Sequence, residues 1–111
     1  MLDFWASWCA PCKISMPHLA GLTKKYKNFV VVAVNIDDDK QNAINFLKEI
    51  GLDINAVHDS EKKVVSAYDV PEMPTAYLID QYGTIQYMHS GYSQDKLEKL
   101  EFAIRGLIDR K

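Results

Sequence analysis

Two cysteines, Cys9 and Cys12, stand with two residues between them in Trp8-Cys9-Ala10-Pro11-Cys12, and the chain has no others. A Cys-x-x-Cys can close a small disulfide with little backbone movement and reopen it by thiol exchange. The apolar run Met1–Ala6 directly before it reads as a buried strand that enters a tight turn and then a helix. On that reading Cys9 lies at or just before the helix N-terminus. Unpaired N–H groups and the positive end of the helix dipole there favour the thiolate, which is the attacking species. Pro11 suits the first turn, where its missing N–H has no helical partner to lose. Cys12 follows about one turn into the helix, less exposed and close enough to resolve a mixed disulfide formed at Cys9. A structural zinc site is the competing use of such a pair. Zinc wants four ligands, and the chain adds only His18, His58 and His89, each alone in sequence. No metal is therefore expected.

These residues have to be positioned by a small fold. The chain has 111 residues, 48% hydrophobic and 25% charged, which is enough for one core and one domain over residues 1–111. A net charge of −2 argues against a general nucleic-acid or anionic-membrane surface. No apolar stretch approaches a membrane span, so this domain is expected to make no membrane contact itself. A turn that does chemistry at residue 8 leaves little room before the first strand. We therefore expect an N-terminal segment of the fold, with any export signal or anchor, to be missing from these residues.

Residues 10–28 read as the helix after the turn, with Leu19, Leu22 and Tyr26 at helical spacing and Pro17 inside it. Phe29–Ile36 is too uniformly apolar for a half-exposed strand and reads as a central one, parallel to the first across a right-handed crossover. Asp37-Asp38-Asp39 reads as a solvated cap for a helix whose face is Ala43, Phe46, Leu47 and Ile50, closed by Gly51. Leu52–Val57 can form a short strand. Ser60 is placed to cap a brief helix that runs to Tyr68. Val70–Pro74 reads as a loop and Thr75–Asp80 as a strand. A turn at Gln81–Gly83 leads to a second strand over Thr84–His89. Ser93 caps a final helix with Leu97, Leu100, Ile104, Leu107 and Ile108 on its buried stripe. The fold class is α/β, a mixed sheet flanked by helices.

With these residues in order, the chain resembles the thioredoxin-like superfamily, most closely its TlpA/ResA-type thiol-disulfide oxidoreductases. Phe4-Trp5-Ala6-Ser7-Trp8-Cys9-Ala10-Pro11-Cys12-Lys13 follows the family's cysteine signature, and Pro17 stands where the family kinks its first helix. Met73-Pro74-Thr75 matches the segment whose proline is cis and faces the cysteines, and Leu78-Ile79-Asp80 with Gly83 matches the hairpin that follows. The helix around Ala43–Ile50 resembles the insertion that separates the TlpA/ResA type from plain thioredoxin. The resemblance implies that Asp3 is buried behind the cysteines and takes a proton from Cys12. A carboxylate in an apolar strand should have a raised pKa, as that task requires. Two departures touch this point. Ala33 stands where thioredoxin carries a lysine beside the aspartate, and Ser15 stands where some relatives carry a carboxylate.

A cis Pro74 would leave the backbone of Met73 open to an incoming peptide, with Trp8 and Met73 as an apolar rim around Cys9. Trp5 reads as core and His18 as a surface residue. The expected activity is thiol-disulfide exchange on protein substrates, with no cofactor, recharged by an upstream thiol reductant. Ala10-Pro11 places no histidine between the cysteines. A reducing potential is therefore expected, nearer ~−270 mV than ~−120 mV. A thiol peroxidase and a thioredoxin-fold interaction module are the alternatives. The resemblance implies a bacterial periplasm or cell envelope.

Overall fold

The computed structural model describes residues 1–108; the last three residues of the expected domain, 109–111, lie outside the described residues. Five strands and four helices follow one another as β1 (Leu2–Trp5), α1 (Cys12–Lys25), β2 (Val32–Asn35), α2 (Lys40–Ile50), β3 (Ala56–His58), α3 (Lys63–Ala67), β4 (Thr75–Ile79), β5 (Ile85–Ser90) and α4 (Gln94–Ile108). The sheet order is β3-β2-β1-β4-β5. β1, β2 and β3 run parallel, and β4 is antiparallel to both β1 and β5. The mixed sheet expected from the sequence is the one that forms.

β1 occupies the centre. Its register pairs Asp3 with Ala33 on one side and with Ala76 on the other, so these three side chains share a face. Trp5 and Leu78, two residues further along their strands, point the same way. That face carries α1, α2 and α4. Trp5, Cys12, Met16, Ala33, Ala43 and Phe46 form one buried cluster on it, and Leu19, Leu22, Val31, Leu78, Leu100 and Ile104 form another. Phe4, Val34 and Tyr77 point to the opposite face, where Val65 and Tyr68, in and just after α3, cover them. The apolar spacings in α2 and α4 therefore mark real contacts, and Gly51 closes α2 at φ 64°, a left-handed conformation that L side chains rarely adopt.

Several boundaries differ from the sequence expectation. α1 starts at Cys12 rather than residue 10, because Ala10 and Pro11 are spent in the turn. It stops at Lys25, where Tyr26 turns extended and directs its hydroxyl to Glu101 of α4 at 2.7 Å. Phe29 and Val31 pack inward and Val30 is exposed, none of them joining β2, and β3 is shorter than Leu52–Val57 and shifted to Ala56–His58. β5 begins at Ile85, one residue after the expected start. The helix after β3 is not capped by Ser60. Asp59 accepts hydrogen bonds from the N–H groups of Val64 and Val65, at 3.3 and 2.9 Å, and is itself buried. The aspartate run also divides. Asp39 caps α2 by accepting from Gln41 N at 2.9 Å, and Asp38 is exposed, but Asp37 is buried.

Replacing Asp59 by Ala should lower stability by about 1–2 kcal/mol, the usual worth of a helix cap, with Ser60→Ala within about 0.5 kcal/mol of the parent in urea denaturation.

Candidate active site

The turn between β1 and α1 is built from successive backbone bonds. Cys9 N donates to Ala6 O, Cys12 N to Cys9 O, Lys13 N to Ala10 O and Ile14 N to Pro11 O, each at 3.1 Å. Pro11 at φ −60° is already in helical conformation as the N-cap. These bonds bring the Cα atoms of Cys9 and Cys12 to 5.4 Å, and the two sulfurs are joined as a disulfide.

They also correct one expectation. The first N–H groups of α1 are not open donors, because carbonyls of the turn take them. What remains to favour a thiolate is the positive end of the helix, with no side-chain cap and no acidic residue in its first turn to offset it. Neither cysteine is freely exposed: Cys12 is fully buried and Cys9 shows 3% of its surface, beside a Trp8 that is 67% exposed.

Asp3 sits in the middle of β1 with 1% exposure, on the sheet face that carries α1. Its neighbours across the strands are alanines, and its Oδ2 has no hydrogen-bond donor. Burial pushes its pKa up to about 8. A group with that pKa can both take and return a proton near neutrality.

The loop before β4 closes the site from another side. Met73 packs against the cluster that contains Cys9 and Cys12. The Met73–Pro74 peptide is cis, Pro74 is buried, and its carbonyl accepts Gly91 N at 2.8 Å. The structure therefore brings Trp8, Cys9, Cys12 and Met73-Pro74 to one end of the sheet, with Asp3 inside it.

The histidines take other positions. His18 is half-buried rather than on the surface, its Nε2 without a partner. His58 Nε2 lies 2.7 Å from the Asp37 carbonyl. His89 is half-buried, and burial together with Lys96 lowers its pKa. Ser15 is buried with its hydroxyl unpaired. Among the described residues no group of three or more His, Cys, Asp or Glu side chains is placed to hold a metal ion. Among them, too, no helix is long and apolar enough to cross a membrane.

One part of the site escaped the sequence reading. Asp37 Oδ2 accepts Ser7 N at 2.8 Å and Asn35 Nδ2 at 2.7 Å, while Oδ1 accepts the Ser7 hydroxyl at 2.6 Å. Burial works against the charge of Asp37, but bonds from the Ser7 hydroxyl, Asn35 and Ser7 N–H, with His58 nearby, outweigh it and hold its pKa below the usual carboxylate value. The available signal was its place directly after a parallel strand, where such sheets gather functional loops.

A thioredoxin-like family model matches residues 1–85. The thiol-disulfide oxidoreductase ResA of Bacillus subtilis is 37% identical over 92 residues, which are 81% of this chain and 51% of that protein. The chain thus spans about half the length of the curated relatives it matches. Among solved structures, a protein assigned as thiol:disulfide interchange protein DsbE from Chlorobium tepidum superposes with a TM-score of 0.90 at 38% identity, covering 96% of this chain and 77% of that one. StoA from Bacillus subtilis superposes with a TM-score of 0.79 at 27% identity, covering 93% and 79%.

Burying Asp3 has a stability consequence with a definite sign. Its folded pKa of about 8 exceeds the ordinary 3.8, so the folded state disfavours the ionised form. Whatever stability the protonated group allows is complete below the ordinary carboxylate pKa and is lost as pH rises toward about 8. Asp3→Asn should therefore stabilise the protein at pH 7 by roughly 2–4 kcal/mol, at 1.36 kcal/mol per pKa unit with some relaxation. That gain should fade by about pH 4 in denaturation curves recorded across pH.

Proposed function

The chain belongs to the thioredoxin-like family, and on that premise we propose that it is a thiol-disulfide oxidoreductase that reduces disulfides in protein substrates. The observation that carries the reading is the Cys9–Cys12 disulfide at the N-terminus of α1, on the sheet face into which Asp3 is buried. In the reduced protein the Cys9 thiolate attacks one sulfur of a substrate disulfide. A Cys9–substrate disulfide forms, and the other substrate sulfur leaves as a thiolate. Cys12, giving its proton to Asp3, then attacks the Cys9 sulfur and releases the second substrate thiolate. Two electrons have passed to the substrate, and the pair is a disulfide again. An upstream dithiol returns it to the reduced state.

Several features support the finer assignments. Trp8 offers an exposed ring beside Cys9, and Met73 lies against the cysteine cluster, so both are assigned to substrate contact along the Met73 backbone. Pro74, which has no N–H to give a neighbouring strand, fits that contact. Ala10-Pro11 gives no cationic side chain to stabilise a reduced thiolate, which favours a reductant over an oxidant. The family resemblance further supports a place in the bacterial cell envelope.

Alkylation trapping across a graded dithiol buffer should give one two-electron transition for Cys9–Cys12 near −270 mV rather than −120 mV. Ala10→His should move it to a less negative value. Cys9→Ser should abolish disulfide reduction, and Cys12→Ser should accumulate a mixed disulfide at Cys9 that gel analysis detects without reductant. Full biological activity in Cys9→Ser would turn the reading to an interaction module.

A further inference from the structure

We propose that Asp37 is a positioning residue for the cysteine turn: by holding Ser7 at two points, it keeps the Ser7-Trp8-Cys9 segment in its disulfide-ready shape when the pair is reduced. The inference rests on the reading of Cys9–Cys12 as a redox pair and deepens it.

Asp37 has no helix to cap, since Asp39 does that for α2. Yet it is a carboxylate with 2% exposure, a costly thing to bury without a purpose for its acceptors. Its two oxygens receive three donors, and two of the three belong to Ser7, thirty residues earlier in sequence. The third, Asn35 Nδ2, comes from the end of β2, and Asn35 Oδ1 in turn accepts Asp37 N at 3.0 Å. Behind it, the Asp37 carbonyl meets His58 Nε2 at 2.7 Å and accepts Lys62 Nζ at 3.3 Å. The carboxylate is thus fixed from β2, β3 and the start of α3, and it is Ser7 that is held.

Ser7 lies two residues before Cys9, directly after Ala6, whose carbonyl accepts Cys9 N. The far end of the turn is set by Pro11 and the first turn of α1. Fixing Ser7 therefore fixes the end that would otherwise be free once the sulfur–sulfur bond opens. Pre-ordering two reacting groups raises their effective concentration. With the clamp in place, closing the Cys9 and Cys12 thiols into a disulfide costs less turn entropy, and the disulfide is more stable. The overall exchange is unchanged: the two thiols are oxidised to one disulfide while a substrate disulfide is reduced to two thiols. The clamp itself exchanges no electron and no proton.

Alanine at position 37 removes both acceptor oxygens, so Asp37→Ala breaks the clamp; an amide would not, because its NH2 can donate to the Ser7 hydroxyl. Ser7→Ala removes one of its two bonds. Asp38→Asn is the control, because Asp38 is exposed and pairs with Lys62 rather than with the turn.

The experiment equilibrates the full chain and each variant with a graded dithiol buffer, and also measures denaturant unfolding of the oxidised and reduced forms separately. Asp37→Ala should lower the equilibrium constant for closing the disulfide roughly three- to tenfold, tenfold being about 30 mV toward less negative potential for two electrons. Ser7→Ala should lower it less, and the double variant no further than Asp37→Ala alone. Ser7→Thr, which keeps both donors, should recover most of the loss, and Asp38→Asn should leave the constant in place. By linkage, the oxidised form should lose more stability than the reduced form, by the same factor. Equal losses in both forms with an unmoved constant would overturn the inference and leave Asp37 a structural residue. If Asp37→Ala fails to fold, an unmoved constant in Ser7→Ala overturns it instead. Absence of any redox transition in the parent protein is a separate result, which overturns the proposed function itself.

Discussion

Strand β1 is four residues long and hydrogen-bonded along both edges, to β2 in parallel and to β4 antiparallel. Those opposite directions decide where the chemistry can gather. The parallel neighbour ends where β1 ends, so the Asn35–Asp37 segment emerges beside the cysteine turn. The antiparallel neighbour begins there, with Thr75 opposite Phe4, so Met73-Pro74 arrives at the same place. β3 ends there as well, delivering His58 and Asp59, whose N–H reaches Asn35 O at 2.9 Å. Four connections converge at one end of one central strand, and a slip of one residue in β1 would turn Asp3 and Trp5 to the opposite face.

The protein treats two buried carboxylates in opposite ways. Asp3 and Asp37 are hidden to nearly the same degree, yet one titrates far above the ordinary range and the other below it. Burial raises both; at Asp37 the hydrogen bonds outweigh it. Asp3 lies between alanines, and its Oδ2 has no donor. Asp37 is given Ser7 N–H, the Ser7 hydroxyl and the Asn35 amide, enough to keep its charge. An uncommitted carboxylate is suited to moving a proton and a saturated one to holding a position.

Much of this was legible in the residues. The Cys9–Cys12 spacing, the apolar run before it and the helical stripes of α2 and α4 are local patterns whose meaning does not depend on distant partners. The family resemblance implied Asp3 behind the cysteines, and Asp3 is buried in the sheet. What could not be read was pairing across long separations. Asp37 looked like one of three solvated aspartates because two of its three donors come from Ser7, thirty residues upstream, and Asp59 was passed over for Ser60 because a cap set back in the turn carries no fixed spacing. Tyr26 was assigned to α1 on period alone, while its hydroxyl is drawn to Glu101 near the other end of the chain. The supposed free N–H groups before α1 were a similar error, since the turn's own carbonyls satisfy them.

The near-complete cover over Cys9 has a consequence for what can react there. Cys9 shows 3% of its surface, with a mostly exposed indole next to it, so a flat or recessed partner meets it poorly. Attack on a disulfide requires the three sulfurs to come nearly into line, so the partner's bond has to stand proud of its own surface or lie on a strand loose enough to bend inward. For the reduction proposed above, the cover over Cys9 therefore favours a partner whose disulfide is already accessible.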